Sequence, residues 1–281
     1  MAVERSLQRL FEQHLEALLG VRFLASEYST GPNHGGRIDT LGLDEDGCPV
    51  IIEYKRALNE AVINQGLFSL DWLADHQGDF LWLVTHRLDR QAAESVQFEN
   101  ARLICIAGDF TRYDEHAIRQ INRNIELIRY KRFDDDLLLL ELVSRAATDT
   151  AKPPKAQKSP KTQYATVTEL LERSSPQLQD FYQAVDDFLR GLGDDVQMVI
   201  TKFYLAYRRL RNFCCVEVHP TVPKITLYVR VNPDTVTLQE GFTRDVRNVG
   251  HFGTGDLEIT LQGMADLDRA KDLIVRAYDE S

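Results

Sequence analysis

Asp39, Glu53 and Lys55 are the residues whose types and spacing suit a definite chemistry. They lie in Gly-Arg-Ile-Asp-Thr-Leu-Gly-Leu (36–43) and Pro-Val-Ile-Ile-Glu-Tyr-Lys (49–55), two apolar segments joined by an acidic turn at 44–47. Hydrolysis of a phosphodiester needs an attacking water, compensation of charge on the phosphoryl oxygens and stabilisation of the leaving oxygen. A divalent cation held by one or two carboxylates supplies all three while keeping positions open for water and phosphate. A lysine at the same place can orient the water or share its proton.

The elements around these residues decide whether they meet. Glu53 and Lys55 are two apart, so on a strand they emerge on one face. Tyr54 points the other way and offers its backbone carbonyl as a metal ligand. Hairpin pairing can set Asp39 beside Glu53. Ile38, Leu41, Leu43 and Val50–Ile52 make both strands apolar, and charges at the end of buried strands are costly without a partner. Glu-x-Lys also arises by chance in a chain of this length. An Asp–Lys cross-strand ion pair would satisfy the same charges with no chemistry at all.

Leu7, Leu10, Phe11, Leu15, Leu18 and Leu19 recur at three to four residues, predicting an amphipathic first helix. Segments 21–28, 37–43 and 48–54 read as strands, 58–76 as a helix, 79–85 as a buried strand and 89–99 as a helix. A strand at 102–107, a helix near 113–123 and strands at 125–132 and 137–143 complete the first half. Three strands followed by alternating helix and strand predict an α/β mixed sheet flanked by helices. Residues 146–163 hold four lysines and three prolines and almost nothing apolar, which reads as an extended linker. Beyond it, helices at 166–173, 176–190 and 264–278 bracket strands near 196–201, 203–209, 213–218, 224–231 and 257–261, predicting a smaller α+β domain. The expected division is 1–146, linker 147–165, and 166–281.

Composition narrows the class. With 43% hydrophobic and 27% charged residues the chain reads as a globular protein. No run reaches the roughly 18 apolar residues that span a bilayer, and the N-terminus shows no signal-peptide core. The expectation is therefore a cytoplasmic protein without a membrane partner. The net charge of −10 argues against non-specific coating of nucleic acid. It falls as about −8, +3 and −5 over the three segments. Cys48, Cys105, Cys214 and Cys215 show no metal-ligand spacing and read as buried reduced thiols. The seven histidines are scattered, which makes a zinc site unexpected.

The order of motifs in residues 5–85 resembles the PD-(D/E)xK nuclease superfamily, in particular its RecB-like and NucS-like branch. That pattern is a helix with Glu, a strand with Asp, a strand with Glu-x-Lys and a helix with Gln. It is matched by Phe-Glu-Gln-His-Leu (11–15), Gly-Arg-Ile-Asp (36–39), Ile-Glu-Tyr-Lys-Arg (52–56) and Ile-Asn-Gln-Gly (63–66). The resemblance implies a restriction-endonuclease-like fold and a Mg²⁺- or Mn²⁺-dependent nuclease acting on DNA, in repair or in defence against foreign DNA. By it, Asp39 and Glu53 are metal ligands together with the Tyr54 carbonyl, and Lys55 is the catalytic lysine. Glu12 is the auxiliary acid, with Glu16 a weaker candidate, and Gln65 lies beside the scissile phosphate or orients Lys55. A tyrosine often follows that glutamine by four residues; here the position is Ser69. Related nucleases make a homodimer plausible. The competing reading is a nuclease fold without catalysis, serving as a nucleic-acid-binding, interaction or sensor module.

Other signals are less specific. Arg37, after the glycine-rich 31–36 loop, and Arg56 are candidates to touch phosphate. Lys202, Arg208, Arg209 and Arg211 interleave with aromatic residues in a manner that suits single-stranded nucleic acid, although a half-exposed strand pair looks the same. Phe68, Trp72, Phe80 and Trp82 read as core. Residues 250–256 read as a turn between sheet elements. The second half resembles an uncharacterised domain found behind such nuclease modules and sometimes labelled a predicted transport protein.

Overall fold

The computed structural model describes residues 2–55, 61–134, 137–147 and 165–281. The chain divides into two compact units, Met1–Ala151 and Lys152–Ser281. Most of the linker stretch lies outside the described residues, as does Arg56.

The first unit begins with helix α1 (Ala2–Leu19), which loses helical geometry at His14. Leu7, Phe11, Leu15 and Leu19 are buried at successive four-residue steps, so one stripe docks on the sheet. A six-stranded mixed sheet follows in sequence order: β1 (Val21–Ser29), β2 (Arg37–Asp44), β3 (Pro49–Lys55), β4 (Arg102–Ala107), β5 (Asn124–Phe133) and β6 (Leu137–Ala146). The β1–β2, β2–β3 and β5–β6 pairs are antiparallel, whereas β3–β4 and β4–β5 are parallel. Parallel neighbours require a long crossover. Helices α3 (Ala61–Asp75), α4 (Gln77–Arg87) and α5 (Arg90–Glu94) provide one between β3 and β4, and α6 (Arg112–Arg119) lies between β4 and β5. The single-turn α2 (Gly31–His34) precedes β2.

Residues 79–85, expected as a strand, belong to α4. Their buried members, Phe80, Leu83 and Val84, follow the helical i, i+3, i+4 spacing, while Trp82 is 61% exposed. The expected aromatic core divides likewise: Trp72 and Phe80 are buried, but Phe68 and Trp82 face outward. The helix expected over 89–99 stops at Glu94.

The second unit is a smaller α+β domain. Helices α7 (Val167–Glu172), α8 (Pro176–Arg190) and α9 (Met264–Asp279) accompany strands β7 (Gln197–Ile200), β8 (Leu205–Arg208), β9 (Asn212–His219), β10 (Lys224–Val229), β11 (Thr243–Asp245) and β12 (Leu257–Leu261). The sheet is antiparallel in the order β11-β12-β10-β9-β8-β7. Val185, Leu189, Leu267, Ala270 and Ile274 of α8 and α9 join Val216, Leu227 and Ile259 of the sheet in one core. Asp186 of α8 accepts the buried Tyr207 hydroxyl at 2.6 Å, fastening helix to sheet. All four cysteines are buried free thiols. Among the described residues no helix is long and apolar enough to cross a membrane.

Candidate active site

The β2–β3 ladder runs from Leu43–Pro49 to Thr40–Ile52. One residue further, the Asp39 carboxylate takes over, accepting the Tyr54 amide at 3.0 Å. That contact holds Asp39 against the end of β3, within hydrogen-bonding reach of Glu53. Glu53 is fully buried. Burial first, and the charge of Asp39 second, push its carboxyl up to about 9, while Ser69 and Lys55 pull the other way. Lys55 ends β3, half-buried, on the Glu53 face.

Helix α3 closes over Glu53. Gln65 Nε2 donates to Glu53 Oε2 at 2.8 Å, and Ser69 Oγ donates to Glu53 Oε1 at 3.1 Å. Gly66 allows this approach, since a Cβ there would stand 2.4 Å from Leu103 Cδ1 of β4.

Glu12 occupies a separate station. Its Oε1 accepts the Thr40 hydroxyl at 2.7 Å and Gln8 Nε2 at 3.0 Å, and the same Gln8 nitrogen reaches Ser26 Oγ and the Asp39 carbonyl at 2.8 Å. Thr40 pairs with Ile52, so it shares the face of Tyr54, opposite Glu53. The ring of Tyr54 packs 5.7 Å from Phe11 on that face. Glu16 lies beyond the break in α1 and is exposed. Among the described residues no group of three or more His, Cys, Asp or Glu side chains is placed to hold a metal ion. The oxygen donors that are brought together are Asp39 and Glu53, hard ligands of the type that magnesium and manganese prefer.

Gln8 and Thr40 took no part in the sequence reading, and Ser69 entered it only as the departure from a tyrosine. The available signal was weak: Gln8 stands one helical turn before Glu12, and Ser69 one turn after Gln65.

Among the described residues, the candidate arginines are engaged within the protein. Arg37 pairs with Glu27 at 2.7 Å. Glu27 itself holds φ at +51°, opposite Asp39 between the Ser26–Thr40 and Tyr28–Ile38 pairs, an uncommon conformation for a non-glycine residue beside the site. The 31–36 segment is a closed turn, pinned by Thr30 N–H to the Gly36 carbonyl and Gly36 N–H to Thr30 Oγ1. In the second unit, Arg208 is buried and donates to Gln197. Arg209 donates to Asp195 and, with its guanidinium over the Tyr278 ring, to the Tyr278 carbonyl. Arg211 donates to the Glu280 carbonyl. The last carbonyls of a helix lack intrahelical partners and attract cations, so two of these arginines cap α9. Lys202 remains exposed, 5.0 Å over the Phe203 ring. Residues 246–256 connect β11 to β12, with Gly253 seated on Cys215.

Residues 167–281 match a domain family of unknown function, DUF5655. An uncharacterized protein of Haemophilus influenzae is 28% identical over 289 residues, covering 99% of this chain and 93% of that protein. The crystal structure of a repair endonuclease from Pyrococcus abyssi is 20% identical, covers 46% of each chain and superposes with a TM-score of 0.33. The EndoMS–dsDNA2 complex is 19% identical over 47% of this chain and 46% of that one, with a TM-score of 0.28. The chain spans about half the length of the solved structures it matches.

Proposed function

We propose that the first unit is a Mg²⁺- or Mn²⁺-dependent nuclease that hydrolyses phosphodiester bonds of DNA. The observation that carries this reading is the apposition of the half-buried Asp39 carboxylate and the fully buried Glu53 carboxyl, with Lys55 beside them at the end of β3. Burial, and after it the charge of Asp39, raises the Glu53 carboxyl to about 9, and a divalent cation at this pair would favour its ionised form. Asp39 and Glu53, with the Tyr54 carbonyl, would hold it. When bound, such an ion supplies Lewis-acid activation of the phosphate and lowers the pKa of a coordinated water. Lys55 pairs with a phosphate oxygen and orients the attacking water, and Gln65 keeps the Glu53 carboxylate turned toward Asp39. Glu12 acts through Gln8 and Thr40 on the β2 backbone that presents Asp39. Endonucleolytic action in repair or antiviral defence, a cytoplasmic setting and a homodimeric state extend the family resemblance.

A second reading has its own support. Glu12 is spent on Thr40 and Gln8, and no third acidic, histidine or cysteine side chain joins Asp39 and Glu53 among the described residues. That favours a nuclease fold that binds nucleic acid, a protein partner or a signal without cutting. Incubation of the full chain with Mg²⁺ or Mn²⁺ and single-stranded, duplex, branched or mismatched DNA separates the two. Metal-dependent cleavage that disappears in Asp39→Ala and Lys55→Ala is expected. Intact DNA under every condition would leave the binding reading, and equal activity in the variants would move the chemistry elsewhere.

A further inference from the structure

We infer that Ser69 is a positioning residue for Glu53, setting the plane of its carboxylate toward the cation; the inference rests on the nuclease reading. The terminal torsion of a glutamate is broad and roughly two-fold, so the plane of the carboxylate has to be set from outside the side chain. Gln65 alone, donating to Oε2, leaves the group free to swing about that contact. Ser69, one helical turn on and therefore on the same face of α3, donates to Oε1 and removes that freedom. Both partners are closed to solvent, Ser69 at 2% and Glu53 at 0% exposure, so water cannot substitute for the hydroxyl. A short side chain suffices because Gly66 brings α3 tight against Leu103. The departure from the tyrosine often found at this position thus carries a role of its own.

Mn²⁺ titration calorimetry on the full chain, together with steady-state cleavage of the DNA form that wild type cuts, tests this. Ser69→Ala is expected to weaken Mn²⁺ binding by about tenfold or more and to lower kcat with KM for DNA unchanged. Ser69→Thr, which keeps the donor, is expected to restore both, and Ser69→Cys, a weaker donor of similar size, to fall between. Unchanged Mn²⁺ affinity in Ser69→Ala overturns the inference, including the case where only its melting temperature falls. Wild type that takes up no Mn²⁺ and cuts no DNA overturns the nuclease reading and this inference with it.

Discussion

At one end of the β2–β3 pair the buried Arg102 is enclosed by Asp44 and Glu126; at the other, Asp39 faces Glu53 with the Lys55 charge at the strand end. Arg102 donates Nε and one terminal nitrogen to the two Glu126 oxygens at 3.0 and 2.9 Å, and its other terminal nitrogen to Asp44 at 3.0 Å. Asp44 also accepts the amides of Asp46 and Cys48, closing the turn. Burial alone would lower the Arg102 pKa, but Glu126 and Asp44 more than offset it. The first cluster pairs its cation with two carboxylates and ties β2, β4 and β5 together. In the second, Glu53 holds a proton in place of its charge, and a bound cation would displace that proton. A fully buried cluster and a half-buried one on the same strands thus differ in compensation, and that difference separates scaffold from site.

The comparison breaks most visibly in activity. Asp39→Asn keeps an oxygen for the Tyr54 amide while removing one charge, so metal-dependent cleavage is expected to fall by about 100-fold or more. Its metal-free thermal stability at pH 8 should not drop below that of wild type. Arg102→Met should do the reverse, lowering unfolding stability by roughly 3–5 kcal/mol in denaturant titrations because two carboxylates lose their cation. Gly66→Ala tests how closely α3 approaches the sheet: overpacking against Leu103 is expected to cost about 1–3 kcal/mol, and Mn²⁺ affinity should fall with it. The mildest test is pH. Glu53 is held near 9 when folded against 4.5 as its ordinary value, so the folded state binds the extra proton between those limits. Without divalent metal, stability should therefore decline as pH rises from about 5 to 9. Glu53→Gln should flatten that decline in melting-temperature profiles, and Mn²⁺ should flatten it in wild type. A decline that persists in Glu53→Gln would assign the slope to other groups.

Legibility followed the range of the interaction. Residues 176–190 and 257–261 matched α8 and β12 because caps and alternation are local: Ser175 accepts the Leu178 amide, and Leu257, Ile259 and Leu261 alternate into the core. Residues 79–85 misled because a short apolar run fits either period, and packing beneath α4 chose the helical one. The arginines at 208, 209 and 211 resembled a nucleic-acid strip until Asp195 and the end of α9, some seventy positions away in sequence, claimed two of them.

Sequence alone determined that Glu53 and Lys55 share a face, because a strand repeats every two residues, and that an acidic turn could return Asp39 to them. Only the tertiary structure decided that Asp39 meets Glu53 beyond the last ladder pair. It also decided that Glu12 turns to Thr40 on the opposite face, and that α3 comes close enough for Gln65 and Ser69 to grip the buried carboxylate. Periodicity is a property of neighbouring residues; these contacts depend on how closely one element can pack on another, which at α3 comes down to the missing side chain of Gly66.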